Sequence, residues 1–199
     1  MHHVFNKGTK DVTFLLLHGT GGDERSLLGL AQEMDAQANV LSVRGNVLEN
    51  GMPRFFRRIA DGVFDMEDLA LRTKELYAFI DDAAAKYDFN RNQVIAIGYS
   101  NGANIAANLL YTETNALRGA ILHHPMVPNK EAVVPEATNV DVWIGAGSND
   151  MMCPPTESTM LEQMLTNAGV RVETEWFDYG HQLTMPEVQA AKAWYERTF

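Results

Sequence analysis

Ser100 stands inside Gly98-Tyr99-Ser100-Asn101-Gly102, where the apolar run "QVIAIGYS" hands over to "NGANIAANLLY". A plain strand-to-helix turn needs neither flanking glycines nor a hydroxyl at its apex. A nucleophile held in a sharp, strained turn needs both, and G-x-S-x-G between a strand and a helix is the pattern that supplies them. A serine hydroxyl attacks weakly until a base takes its proton, so the chemistry implied is acyl transfer assisted by a histidine. Six histidines are available. His2 and His3 lie near the amino end, His18 precedes a Gly-rich turn, and the adjacent His123 and His124, near a strand end, should point to opposite faces. His181, in the loop after the last expected strand, is the one that follows both the serine and the best candidate acid. The order Ser, Asp, His is that of a triad built on a parallel sheet.

The acid must orient the imidazole and stabilise its cation. Asp141, Asp150 and Asp178 lie between Ser100 and His181. Asp141 opens its strand, at the wrong end of the sheet, and Asp178 reads as a turn or capping residue close to His181. Asp150 follows "VWIGAGSN", just past a strand's carboxyl end, and is the choice. Backbone N–H groups must also meet the developing oxyanion. Asn101, directly after the nucleophile, should give one, and Thr20 in "HGTGG" the other. That turn lacks both G-x-G-x-x-G and G-K-[ST], so a phosphate cradle is a weak rival. No H-E-x-x-H is present and His123-His124 is poor ligand spacing on a strand, so no metal or other cofactor is expected.

Two further stretches carry reactive or recognition-type residues. In "MPRFFRR", Phe55 or Phe56 could wall a substrate pocket, with Arg54, Arg57 and Arg58 as a positive rim. The alternative is a basic turn whose aromatics pack on the core. Cys153, beside Pro154-Pro155, reads as a small packing residue, since nothing cationic nearby in sequence would activate its thiol.

These residues need a frame that gathers loops at one edge. Short apolar runs at "TFLLLHG", "NVLSVRG", "QVIAIGYS", "LRGAILHHP", "VDVWIGAG" and "VRVETEWF" read as strands. Helices are expected over Glu24 to Gln37, 66–87, Asn101 to Tyr111, Thr156 to Ala168 and 185–199, with an irregular segment before the second. Continuous apolar strands separated by helices predict a mostly parallel, twisted α/β sheet with helices on both faces, where ligands gather at the carboxyl ends. With no linker or repeat, the 199 residues are read as one domain spanning 1–199.

Composition narrows the partners. A formal charge of -10 argues against nucleic acid, which wants a basic surface. No apolar run approaches a membrane span, no apolar signal segment opens the sequence, and one cysteine permits no internal disulfide. A cytoplasmic location is expected, and a homodimer is left open.

"LLLHGTGGDE", "GYSNGANIAANLL", "GAGSND" and "GHQLT", in order and at suitable spacing, resemble the α/β-hydrolases of the phospholipase/carboxylesterase type, which include acyl-protein thioesterases. Within that family "VRGNVLENGMPRFFRRIADGVFDMEDL" resembles a bacterial subgroup of small carboxylesterases linked to resistance to hydroquinones. The resemblance implies a Ser-His-Asp esterase needing no metal, with Ser100, Asp150 and His181 as triad and Thr20 and Asn101 as oxyanion donors. Dienelactone hydrolases are less similar because they carry cysteine where Ser100 stands. The segment from Pro125 to about Asn139 is too short for a large lid, so small soluble ester substrates are expected. Thioesterase or lysophospholipase activity on the same triad, or a catalytically silent small-molecule receptor, are the alternatives.

Overall fold

A computed structural model describes residues 1–136 and 139–199. The chain runs through β1 (His3–Asn6), β2 (Thr13–Leu17), α1 (Leu28–Met34) and β3 (Asn39–Val43). Two hairpins follow, β4 (Val47–Glu49) with β5 (Met52–Arg54) and β6 (Arg58–Ala60) with β7 (Val63–Phe64). Then come α2 (Met66–Tyr87), β8 (Val94–Tyr99), α3 (Asn101–Thr112), β9 (Gly119–His123) and β10 (Asp141–Gly147). The last elements are α4 (Pro155–Asn167), β11 (Arg171–Phe177) and α5 (Met185–Thr198).

Seven strands form one sheet in the order β1-β3-β2-β8-β9-β10-β11. Only β1 is antiparallel to its neighbour; the others pair in parallel. Alternation along each strand sends side chains to both faces, and both are apolar. Phe14, Leu16, Ile95, Ile97, Ile121 and Trp143 meet Ala31 and Met34 of α1 and Val188, Ala191 and Trp194 of α5. Leu15, Leu17, Ala96, Leu122, Val142 and Ile144 meet residues of α2, α3 and α4, among them Leu76, Ile105 and Leu161. This is the mostly parallel sheet, covered by helices on both faces, that the strand and helix alternation predicted, and it fits the α/β-hydrolase fold that the resemblance implied. Because β2, β8, β9, β10 and β11 are adjacent and parallel, the loops after them all leave the same edge.

The helix ends follow local chemistry. Asp65 caps α2 by accepting from the Asp68 N–H, and Asp88 ends it in the left-handed conformation. The expected helix from Glu24 is shorter, because the Asp23 and Ser26 side chains bond nearby backbone N–H groups and hold a turn there. The strand β1 escaped the sequence reading because it is a four-residue edge strand, half-covered on all but its last residue. Phe5 stacks on Tyr87 of α2 at 4.3 Å between ring centres, which is what pins it.

Candidate active site

Ser100 sits at the turn between β8 and α3 with φ 52° and ψ −115°, a conformation that is strained for a side-chain-bearing residue. The flanking glycines make the turn fit. A Cβ on Gly98 would lie 2.7 Å from Ala103 backbone, and one on Gly102 only 1.9 Å from the Leu17 carbonyl oxygen. Helix and strand therefore approach more closely than any other residue would allow. The Ser100 N–H donates to the His123 carbonyl at 2.9 Å, so β9 holds the turn from one side. Three buried asparagines on α3 fasten it to other segments. Asn101 Oδ1 accepts from Phe55 N–H, Asn104 Oδ1 from Met126 N–H, and the Asn108 amide donates to Thr73 Oγ1.

The structure brings Ser100, His181 and Asp150 into one hydrogen-bonded chain. Ser100 Oγ lies 3.0 Å from His181 Nε2, and His181 Nδ1 lies 2.6 Å from Asp150 Oδ2. The tautomer these contacts require carries the proton on Nδ1, which leaves Nε2 free to accept from the serine. The His181 loop is fixed twice. The Tyr99 hydroxyl donates to the His181 carbonyl at 2.6 Å, and Asn149 links the acid and histidine loops through Gly180 N–H and the Asp178 carbonyl. Burial, helped by the charges of Asp150 and Glu187, pushes the Tyr99 hydroxyl up to about 12, so it stays a donor. Asp178 contributes only that carbonyl to these contacts.

Asp150 is buried, which alone would raise its carboxyl. Hydrogen bonds from Cys153 N–H, His181 and Met152 N–H outweigh burial and hold it below the usual carboxylate range. Cys153 thus serves the site through its backbone. Its thiol is buried and its pKa is raised by desolvation and by the charges of Asp150 and Glu157, the reverse of an activated cysteine. Asp141 lies at the start of β10, paired with Arg118 and Arg171.

Thr20 and Asn101 line the same cavity as Ser100 and His181. Thr20 Oγ1 accepts from Arg54 at 2.5 Å, while its turn is held by Gly21 N–H to the Pro53 carbonyl. His18 braces the turn as well: Nδ1 faces the Gly19 carbonyl and Nε2 accepts from Gly45 N–H. Its burial lowers its pKa, in keeping with the neutral form.

The cavity measures about 760 Å³ and is walled by Met52, Phe64, Met126, Met151, Met152 and Pro154, among others. Phe55 and Phe56 are not in its wall. Both are fully buried in the core, Phe55 against His18 and Phe56 edge-on to Phe64. The residues facing the cavity from this segment are instead Met52, Arg54 and Arg58. Of the arginines expected as a positive rim, Arg54 and Arg58 thus face the cavity but share Glu49, Arg58 also bonds Asp61, and Arg57 pairs with Asp65 and Asp68 outside its wall. A larger concavity of about 820 Å³ lies at the opposite ends of the strands, but no serine, cysteine or histidine lines it.

The side chains of His123 and His124 do not point to opposite faces. His124 has φ 51°, so the alternation of β9 stops before it, and both imidazoles meet the Glu187 carboxylate of α5. Donor atoms of His124, Asp150 and His181 lie within 4.8 Å of one another, a spacing that a metal could use. Here both Nδ1 atoms are already directed at Asp150 Oδ2.

A seven-stranded, mostly parallel sheet with a serine, histidine and carboxylate joined at its carboxyl edge is the architecture of an α/β-hydrolase. The family model for phospholipase/carboxylesterase matches residues 4–198, and the chain belongs to that family. It is 53% identical over 196 residues to a putative hydrolase, MhqD, of Bacillus subtilis strain 168, covering 98% of each chain. The crystal structure of a Bacillus cereus carboxylesterase matches with a TM-score of 0.98 and 57% identity, over 99% of this chain and 94% of that one. A carboxylesterase from Mesorhizobium loti matches with a TM-score of 0.90 and 26% identity, over 95% of this chain and 90% of the other. The protein is a hydrolase of the carboxylesterase kind, and no helix among the described residues is long and apolar enough to cross a membrane.

Proposed function

We propose that the chain, acting as one catalytic unit over residues 1–199, is a serine carboxylesterase for small, soluble esters. The observation that carries this is the hydrogen-bonded chain from Ser100 Oγ to His181 at 3.0 Å and on to Asp150 at 2.6 Å. Ser100 Oγ attacks the ester carbonyl carbon while its proton passes to His181 Nε2. The negative oxygen of the tetrahedral intermediate takes hydrogen bonds from the backbone N–H groups of Thr20 and Asn101. Collapse returns the proton from His181 to the departing alkoxide and leaves an acyl-serine. Water, deprotonated by His181, attacks the acyl carbon and releases the acid. Asp150 holds the imidazole and balances its transient charge.

The size of the cavity suits a small substrate, since pockets of some 300–1,000 Å³ enclose one. Its methionine-rich wall is apolar and adaptable, suited to a short acyl or aromatic group. The test is a screen of nitrophenyl esters of graded acyl length, with matching thioesters, against wild type and Ser100→Ala. A fluorophosphonate should add once, at Ser100, and Ser100→Ala should lose roughly 10⁴–10⁶-fold of kcat. An unlabelled Ser100, or turnover that survives its loss, would leave a silent receptor of this fold as the better description.

A further inference from the structure

The hydrogen bonds do not stop at Asp150. The Oδ2 atom that faces His181 also lies 3.1 Å from His124 Nδ1. His124 Nε2 lies 3.0 Å from Glu187 Oε2, and Glu187 Oε1 lies 2.5 Å from His123 Nδ1. The side chains of Asp150, His124, Glu187 and His123 are wholly buried. A neutral imidazole has one N–H and one lone pair, and an ionised carboxylate only accepts. A neutral His124 would therefore aim a lone pair at a buried carboxylate oxygen about 3 Å away. Protons on both nitrogens satisfy both contacts.

The backbone is shaped for this bridge. His124 adopts its left-handed φ of 51° with its N–H donating to the Gly145 carbonyl at 2.7 Å, and Pro125 follows. Non-glycine residues hold such conformations only where their surroundings impose them. Gly145 leaves space for the acid, since a Cβ there would lie 2.4 Å from Glu187 Oε1. An acid placed in the first turn of α5 and buried to 0% exposure has no other evident purpose than to receive these two imidazoles.

We propose that His124 is a standing imidazolium clamped between Asp150 and Glu187, a positioning residue that holds Asp150 in the orientation His181 needs. The kinetic half of this rests on the esterase reading above. Four groups face His124: Asp150 from the loop after β10, Glu187 from α5, His181 from the loop after β11 and Tyr99 from β8, while its neighbour His123 shares Glu187 with it. Burial would discharge His124, but the hydrogen bonds and charges of Glu187 and Asp150 outweigh it and raise its pKa. The rings of His124 and His181 are 5.2 Å apart and both Nδ1 atoms meet Asp150 Oδ2, so the clamp fixes the carboxylate that orients the His181 imidazole.

The test begins with imidazole ¹H–¹⁵N spectra of uniformly labelled protein from pH 5.5 to 8.5, with His124 assigned by loss of its signals in His124→Gln. Both His124 nitrogens should show the shifts of protonated nitrogen throughout; one unprotonated-type nitrogen at pH 7 overturns the proposal. Ser100→Ala protein gives the same spectra, so this result stands or falls apart from the esterase reading. In folded His124→Gln, kcat should fall about tenfold or more with KM little changed, as expected when an interaction that serves the transition state is loosened. An unchanged kcat, with melting temperature retained, overturns the kinetic role. If that variant does not fold, His124 is assigned in the wild-type protein by through-bond correlation of its backbone and ring signals, and those spectra decide.

Discussion

Asp150 carries more contacts than any other residue in the site, and the way its two oxygens divide them says what a substitution would do. Oδ1 accepts the N–H groups of Met152 and Cys153, which shape the loop, while Oδ2 accepts from two imidazoles. Asp150→Asn can keep its carbonyl oxygen toward the loop, but then its amide opposes the N–H of His181 and favours the wrong tautomer. Activity should fall about 10²–10⁴-fold with little change in melting temperature. Asp178→Asn should fall less than tenfold, because only its backbone is engaged. Steady-state kinetics on the two purified variants checks this, and the reverse ranking would remove Asp150 from the role. At this scale the grouping of Ser100, Asp150 and His181 was legible, because each follows the carboxyl end of an expected strand. Glu187 was not, since nothing in "MPEVQ" distinguishes a buried acid from an N-terminal helix charge. The joint aim of His123 and His124 was hidden too, because a positive φ at a histidine leaves no trace in the sequence.

The elements divide into a sheet that, β1 apart, sequence periodicity reveals and two hairpins that it does not. Strands β4 to β7 have two or three residues each, too short for alternation to be read. Yet this segment supplies one wall of the cavity. Its aromatics and its methionine have different work. Phe56 is at 0% exposure, so Phe56→Ala should cost about 3–5 kcal/mol of stability and depress turnover of every ester alike. Met52 is 40% exposed and faces the cavity, so Met52→Ala should leave the melting temperature within a few degrees. Instead it should change kcat/KM unequally across acyl lengths, by about 1–3 kcal/mol between the best and worst affected. Denaturation curves paired with the ester screen separate these outcomes. A uniform loss in Met52→Ala, or a selective one in stable Phe56→Ala, would reverse the two assignments.

Over the whole molecule, the buried pair of histidines and acids links the site to folding stability. Sheet, helices and loop edge follow from runs of apolar residues, but this charged core lies where three distant segments meet, and so appears only in three dimensions. Burial would raise the Glu187 carboxyl; the hydrogen bonds of His123 and His124 outweigh that and bring it to about 2 from an ordinary 4.5. A carboxyl depressed in the folded state contributes stability that is present above its unfolded value and is lost as pH falls through the folded one. For Glu187 that window runs from 4.5 down to about 2, and the contribution is on the order of 3 kcal/mol. His124 has the opposite sign. Its pKa is raised, so its share is fully present below the ordinary 6.5 and is lost as pH climbs through its folded value. These are two views of one contact and do not add. Urea midpoints for wild type should therefore be flat from about pH 5 to 6.5 and fall on the acid side. Other carboxyls lowered in the folded state, such as Asp35 and Asp141, share in that acid slope. The decisive quantity is thus the wild-type curve minus that of Glu187→Gln, which should shrink toward zero as pH falls from 4.5 to 2.5. A difference that stays constant across that range would show that Glu187 enters folding as an uncharged group.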